Sequence, residues 1–119
     1  MNVFLIAGEP SGDKLGAALM AGLRKSVPEV QFTGIGGERM LEEGLSSLFP
    51  MDEISVMGIT EILSQYRQLK RRIRETADAV IKARPDVLIT IDLPEFSLRV
   101  AKLVKARSDI RVVHYVAPT

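Results

Sequence analysis

The 119-residue chain contains no cysteine, no tryptophan and a single histidine, His114. Without thiols there is neither a disulfide framework nor a thiolate metal site, and one imidazole leaves too few soft ligands for structural zinc, so no metal and no cofactor is expected. Aromatic residues are scarce, with four Phe and two Tyr, which weakens any reading that relies on stacking a flavin or nucleobases. No apolar run approaches the ~20 residues a bilayer-spanning helix needs, and the amino end lacks a charged-then-apolar signal segment. The expected setting is therefore the cytoplasm. No repeat, low-complexity tract or flexible linker is visible, and the 46% hydrophobic content suits one globular domain over residues 1–119 that buries roughly two-thirds of its unfolded surface.

A formal net charge of +1 conceals an asymmetry. Residues 1–61 carry four Lys/Arg against nine Asp/Glu, whereas residues 62–119 carry twelve against six. The excess gathers in Arg67, Lys70, Arg71, Arg72, Arg74, Lys82 and Arg84, a stretch suited to phosphate, nucleic acid or anionic lipid headgroups. Charge does not choose among them.

Along the chain, Asn2 to Ala7 is a short apolar run ending at Gly8, which predicts a strand buried on both faces. Leu15, Ala18, Leu19, Gly22 and Leu23 recur at helical spacing between Gly12 and Lys25, and Pro28 closes that segment. A second strand is expected over Gln31 to Ile35, a turn at Gly36-Gly37, and a short helix from Glu38 to Glu43 stopped at Gly44. From Gly58 to Arg84 a sustained apolar stripe with interleaved basic residues predicts a long amphipathic helix. A third strand lies within Asp86 to Asp92, a helix over Phe96 to Ala106, and a fourth strand over Arg111 to Val116. Strands alternating with helices predict an α/β fold with a mainly parallel sheet. Because the chain stops just after a strand, where a doubly wound fold would continue, it is expected to be a fragment.

Ligands of open α/β sheets gather at the carboxyl ends of the strands, and three such places carry chemistry. The first is Gly8-Glu9-Pro10-Ser11-Gly12-Asp13: two glycines permit close backbone approach, and the following helix start offers free N–H groups for an anion or a sugar hydroxyl. The alternative is that Ser11 or Asp13 simply caps that helix. The second is Asp92 in Ile91-Asp92-Leu93-Pro94-Glu95-Phe96-Ser97. A carboxylate at the end of an apolar strand is partly desolvated, which raises its pKa towards a range useful for accepting a proton; the alternative is a cap or a carboxylate tied to a nearby backbone N–H. The third is Ser55 to Ile59, where Met57 and Gly58 could line a lipophilic pocket ahead of arginines that meet phosphate, or where a core stripe merely shows a solvated basic face. His114, on an apolar strand, is expected to be a satisfied core histidine.

Taken together the segments resemble the lipid-A-disaccharide synthase family. The resemblance runs through Gly8-Glu9-Pro10-Ser11-Gly12-Asp13, Gly34-Ile35-Gly36-Gly37 with Arg39-Met40, Met51-Asp52-Glu53 with Val56-Met57-Gly58-Ile59, Pro85-Asp86-Val87 with Ile91-Asp92, and His114-Tyr115-Val116-Ala117-Pro118. It covers essentially the whole chain. It implies a Rossmann-like three-layer fold, the N-terminal, acceptor-side half of a two-domain GT-B glycosyltransferase whose absent C-terminal half holds the sugar nucleotide. The implied reaction moves 2,3-diacylglucosamine from its UDP carrier to 2,3-diacylglucosamine 1-phosphate with inversion and no metal. Asp92 matches the family aspartate implied to take the proton from the attacking hydroxyl, and Glu9, Ser11, Gly12, Asp13, Met57 and Gly58 are implied to bind the acceptor. The family usually has Asp where this chain has Glu95 and Asn where it has Ser97, so neither position inherits a role. The expected partners are the UDP-activated acylated sugar, the acylated sugar phosphate and an anionic inner-membrane surface met by Arg67, Lys70, Arg71, Arg72 and Arg74, with no nucleic acid; the full-length protein admits a homodimer. The rival readings are a flavodoxin-like nucleotide-binding module without catalytic activity and an interaction protein that uses the basic helix.

Overall fold

A computed structural model describes residues 1–57 and 63–115, with backbone alone for 55–57 and 63–65. Its elements are β1 (Asn2–Ile6), α1 (Pro10–Ser26), β2 (Gln31–Ile35), α2 (Glu38–Glu42), β3 (Ser46–Ser47), α3 (Asp52–Met57), α4 (Leu63–Ala83), β4 (Val87–Thr90), α5 (Pro94–Arg107) and β5 (Arg111–His114). The strands form one parallel sheet in the order β3-β2-β1-β4-β5, a Rossmann-like α/β arrangement.

The apolar run of β1 divides by alternation between two cores, as a strand covered on both faces must. Val3, Leu5 and Ala7 pack with Met20 of α1 and Met40 of α2, while Phe4 and Ile6 pack with Ile73, Ala77 and Val80 of α4 and with Phe96, Val100 and Val104 of α5. All five of those β1-segment residues are essentially inaccessible to solvent. The amphipathic stripe of α4 thus faces the sheet at Ile73, Ala77 and Val80, and Arg67, Lys70, Arg71 and Arg74 are left outside. The part of the expected helix before Leu63, and of the expected last strand beyond Tyr115, lies outside the described residues.

Helix boundaries follow local chemistry. α1 starts two residues earlier than its apolar spacing indicated because Pro10 occupies the first turn, where a missing N–H carries no penalty. α2 ends in paired bonds from Gly44 N–H to Leu41 O and from Leu45 N–H to Met40 O, with Gly44 at φ 102°, which satisfies carbonyls left over by the last turn. β3 and α3 were not expected. β3 has only two serines, paired to Thr33 and Gly34, and α3 has six residues, so neither is long enough to show a period.

Asp13 does not cap its own helix. Its carboxylate crosses to the start of α2, where Oδ1 accepts from Gly37 N–H at 3.0 Å and Met40 N–H at 2.9 Å, and Oδ2 accepts from Arg39 N–H at 3.1 Å. These are the amides that a helix start leaves without partners, and Gly37 has no side chain to serve them. The pairing welds α1 to α2 and fixes the Gly36-Gly37 turn. Asp13→Ala removes a nearly buried anion from three donors and is expected to lower the stability of the chain by about 3 kcal/mol, read as a shift in the urea midpoint at constant slope.

Candidate functional site

The sheet register places the site. Ile6 of β1 pairs with Thr90 of β4, and Ile6 also pairs with Ile35 of β2. Two residues further along each chain, Gly8, Asp92 and Gly37 therefore come out side by side at the carboxyl edge of the sheet. The ladder continues past the strands through Ile91 N–H to Ile6 O and Ala7 N–H to Ile35 O, both 2.9 Å, so this edge is a rigid rim.

On that rim Asp92 Oδ1 accepts from Gly8 N–H at 2.6 Å and Oδ2 from Glu9 N–H at 3.0 Å. The glycine turn and the strand-end carboxylate are thus a single unit. The fit is close: a Cβ on Gly12 would lie 1.9 Å from Asp92 Oδ2, and one on Gly8 would lie 1.9 Å from Leu93 Cδ1 and 3.2 Å from Ile54 Cδ1. The residues after Asp92 hold it from behind. Leu93 is left-handed at φ 49°, a sparsely populated conformation for a side-chain-bearing residue and a hallmark of sites where structure overrides local preference. Pro94 then starts α5, and Ser97 Oγ donates to Asp92 O at 2.6 Å. Position 97, given no role by the sequence, therefore steadies the backbone of Asp92.

Burial raises the Asp92 pKa from its ordinary 3.8, against the Gly8 and Glu9 N–H groups, which lower it, and with a small upward push from the Glu9 charge. The direction makes physical sense, because desolvation disfavours the anion while two backbone donors favour it. The result is a carboxylate held in one orientation and more basic than a free one.

The other expected site residues divide. Glu9 is the N-cap residue of α1 and gives no side-chain cap; its N–H bonds Asp92, Glu9 and Ser11 are exposed, and Gly12 is buried against Asp92. Ser11 sits in the first turn and does not cap the helix. Asp13 lies one turn on, its carboxylate engaged with α2. Met57 is the last residue of α3, described in backbone only, and Gly58 lies outside the described residues. Ile54 of α3, the residue before the third segment, lies close to Gly8.

Among the basic residues of α4, Arg72 is set apart. Its guanidinium bonds Glu53 at 2.6 Å and Glu75 at 2.9 Å and lies 4.4 Å from the Phe49 ring centroid, so it ties α4 to α3 and contributes little free charge. Arg67, Lys70, Arg71 and Arg74 are exposed. Lys70 and Arg74 share a groove of about 430 Å³ with Arg99 and Lys102 of α5, over Ile73 and Leu103. Charge counting along one helix did not reveal the α5 contribution, which only helix pairing supplies. Among the described residues, no helix is long and apolar enough to cross a membrane.

Among the described residues His114 is exposed and not packed in the core expected of it. β5 is the edge strand of the sheet among the described residues, so its end lacks a neighbour on one side, and His114 is exposed. Its Nδ1 meets the hydroxyl of Thr90, the residue it faces in the register. Both line a cavity of about 200 Å³ together with Ile91, Asp92, Pro94, Ser97 and Leu98.

Comparison with known proteins gives the family. The family model described as lipid-A-disaccharide synthetase matches residues 3–119. A lipid-A-disaccharide synthase of Ruegeria pomeroyi is 67% identical over 119 residues, covering 100% of this chain and 30% of the relative. Those of Nitrobacter winogradskyi and Pseudomonas aeruginosa are 52% and 48% identical, covering 99% and 100% of this chain and 30% and 31% of the relatives. The chain thus spans about 30% of the length of the curated relatives it matches. A family match along nearly the whole sequence, together with a strand-end aspartate locked to the glycine turn, places the chain in the lipid-A-disaccharide synthase family.

Proposed function

We propose that this chain is the acceptor-side domain of a glycosyltransferase of lipid A biosynthesis, which transfers 2,3-diacylglucosamine from UDP-2,3-diacylglucosamine to 2,3-diacylglucosamine 1-phosphate. The products are the disaccharide 1-phosphate and UDP, and the nucleotide-sugar is held mainly by a second Rossmann-like domain. The observation that carries the reading is Asp92, fixed on the Gly8 and Glu9 N–H groups beside a cavity at the sheet edge where α/β folds gather ligands. In this reading Asp92 accepts the proton of the acceptor hydroxyl as its oxygen bonds to the donor anomeric carbon and the bond to UDP breaks. Glu9 and Gly12 border that base, Ser11 lies between them and Asp13 acts through the turn it holds; Met57 and Gly58 keep the part of acceptor-binding residues that the family resemblance suggests. Two backbone donors leave carboxylate lone pairs for the hydroxyl, and a base already in position is typically worth 10² to 10⁴ in rate. A flavodoxin-like module finds no support among relatives that are named as synthases.

In a full-length family protein carrying this sequence, Asp92→Ala is expected to reduce kcat about 10²- to 10⁴-fold; near-normal turnover would remove the base from the mechanism. The sign of the pH dependence follows from the raised pKa. A base acts when unprotonated, so kcat/KM should climb as pH rises through a titration lying above 3.8, and Asp92→Asn should abolish that limb. Gly12→Ala, which forces a methyl into the carboxylate, is expected to slow turnover about 10²-fold through misplacement alone, whereas Gly22→Ala, with open space around it, leaves the rate unchanged.

The exposed basic face of α4 supports a peripheral seat on the anionic inner membrane, each surface cation contributing up to ~1 kcal/mol. Reversing Arg67, Lys70, Arg71 and Arg74 to Glu is expected to abolish co-sedimentation with phosphatidylglycerol vesicles, and added salt should weaken binding of the parent protein. Salt-insensitive binding would show that this face is not the contact.

A further inference from the structure

The seam between α4 and α5 changes character along its length. At one end opposite charges close it, with Arg107 of α5 donating to Asp78 of α4 at 2.6 Å. One helical turn back along each helix from that pair stand Arg74 and Leu103, and a turn further back Lys70 and Arg99, positions that lie above one another on a helix face. With Lys102 and the buried Ile73 they line one groove of about 430 Å³. Cations from two helices thus meet across a gap whose lining holds no carboxylate. Lys70, Arg74 and Lys102 have no acidic partner among the described residues, and Arg99 has only Glu95, at 3.4 Å and 82% exposed, a contact that water and salt largely screen. Like charges gathered in this way repel one another, and an anion seated between them replaces repulsion by attraction.

The groove also has an apolar component. Ile73 and Leu103 line it, Leu98 precedes Arg99 on α5, and the Lys70 ammonium lies 5.4 Å from the ring centroid of Tyr66. Tyr66, Leu98 and Leu103 are all exposed. A free phosphate ion gains nothing from such groups, whereas an anionic amphiphile meets the cations with its phosphate and covers the apolar side chains with its glycerol and first methylenes. Arginine pairs with phosphate oxygens two at a time, and lysine adds a point charge. Resting on the peripheral-membrane reading above, we infer that this groove is a headgroup site that takes the phosphate of one anionic phospholipid, held by Lys70 and Arg74 from α4 and by Arg99 and Lys102 from α5. The seat is a defined contact shared by two helices, not the charged face of one. Arg99 sits in the second turn of α5, which starts at Pro94 just after Asp92, so a lipid bound there holds the carboxyl rim of the sheet near the bilayer surface.

The test measures binding of the full-length protein to phosphatidylcholine vesicles that carry phosphatidylglycerol. Arg99→Gln with Lys102→Gln is expected to weaken binding at least about tenfold. Arg67→Gln with Arg71→Gln removes equal charge from exposed positions outside the groove lining and is expected to weaken it no more than about threefold. All four positions are exposed, so an unchanged thermal midpoint accompanies both variants, and turnover on detergent-dispersed substrate stays at the parent level in the Arg99, Lys102 variant. Equal losses in the two variants would overturn the inference by spreading the contact over the whole basic face, while leaving the membrane seat in place. Full binding by the Arg99, Lys102 variant would overturn it outright. Release of the parent protein by millimolar inorganic phosphate, but not by chloride at matched ionic strength, would overturn it by assigning the groove to a soluble anion. Failure of the parent protein to bind these vesicles at all would instead sink the membrane reading on which the inference stands.

Discussion

The contact between the Asp92 carboxylate and the N–H groups of Gly8 and Glu9 is the constraint around which this molecule is arranged. It joins residues 84 and 83 positions apart in sequence, and it exists only because β1 and β4 are adjacent and in the register that pairs Ile6 with Thr90. Everything near it is shaped by the small space it leaves. Gly8 and Gly12 must lack side chains, Leu93 must take a left-handed backbone, and Ser97 must hold the Asp92 carbonyl. A carboxylate placed so close to a hydrophobic sheet is tolerated because backbone amides meet it on both oxygens, and its proton affinity is raised because it is partly withdrawn from solvent.

A second carboxylate, Asp13, shows the opposite solution. It lies one helical turn beyond the glycine loop, yet three amides of the neighbouring turn and helix surround it. Both its oxygens are engaged in architecture, while Asp92 has two donors rather than three and borders a cavity. The two acids thus differ in the number of donors around them, a difference in environment rather than residue type.

How much of this the sequence disclosed depended on the range of each interaction. The β1 run and the Ile73, Ala77, Val80 stripe were legible because burial on a sheet imposes a short period on consecutive residues. Gly44 was legible as a helix stop because positive φ has a strong residue preference. The serine pair of β3 carried no β signal, since its strand character comes wholly from Thr33 and Gly34 beside it. The crossing of Asp13 to amides 24 to 27 residues away follows no local rule, so capping of its own helix was the natural but mistaken alternative. His114 looked like a core residue because alternation shows which face a side chain takes and not whether its strand has a neighbour. Arg72 looked like its basic neighbours because composition cannot see Glu53 and Phe49 on other elements. The aspartate itself could be picked out from strand-end position and family resemblance, whereas its two amide partners required the fold.

The single left-handed residue between Asp92 and Pro94 also has a mechanical meaning. Leu93 is the whole connection between sheet rim and α5, its side chain abuts Gly8, and Ser97 N–H and Phe96 N–H both bond its carbonyl. There is no slack in such a joint. The place of the aspartate is thus set by the seat of α5, with one leucine as the link between them.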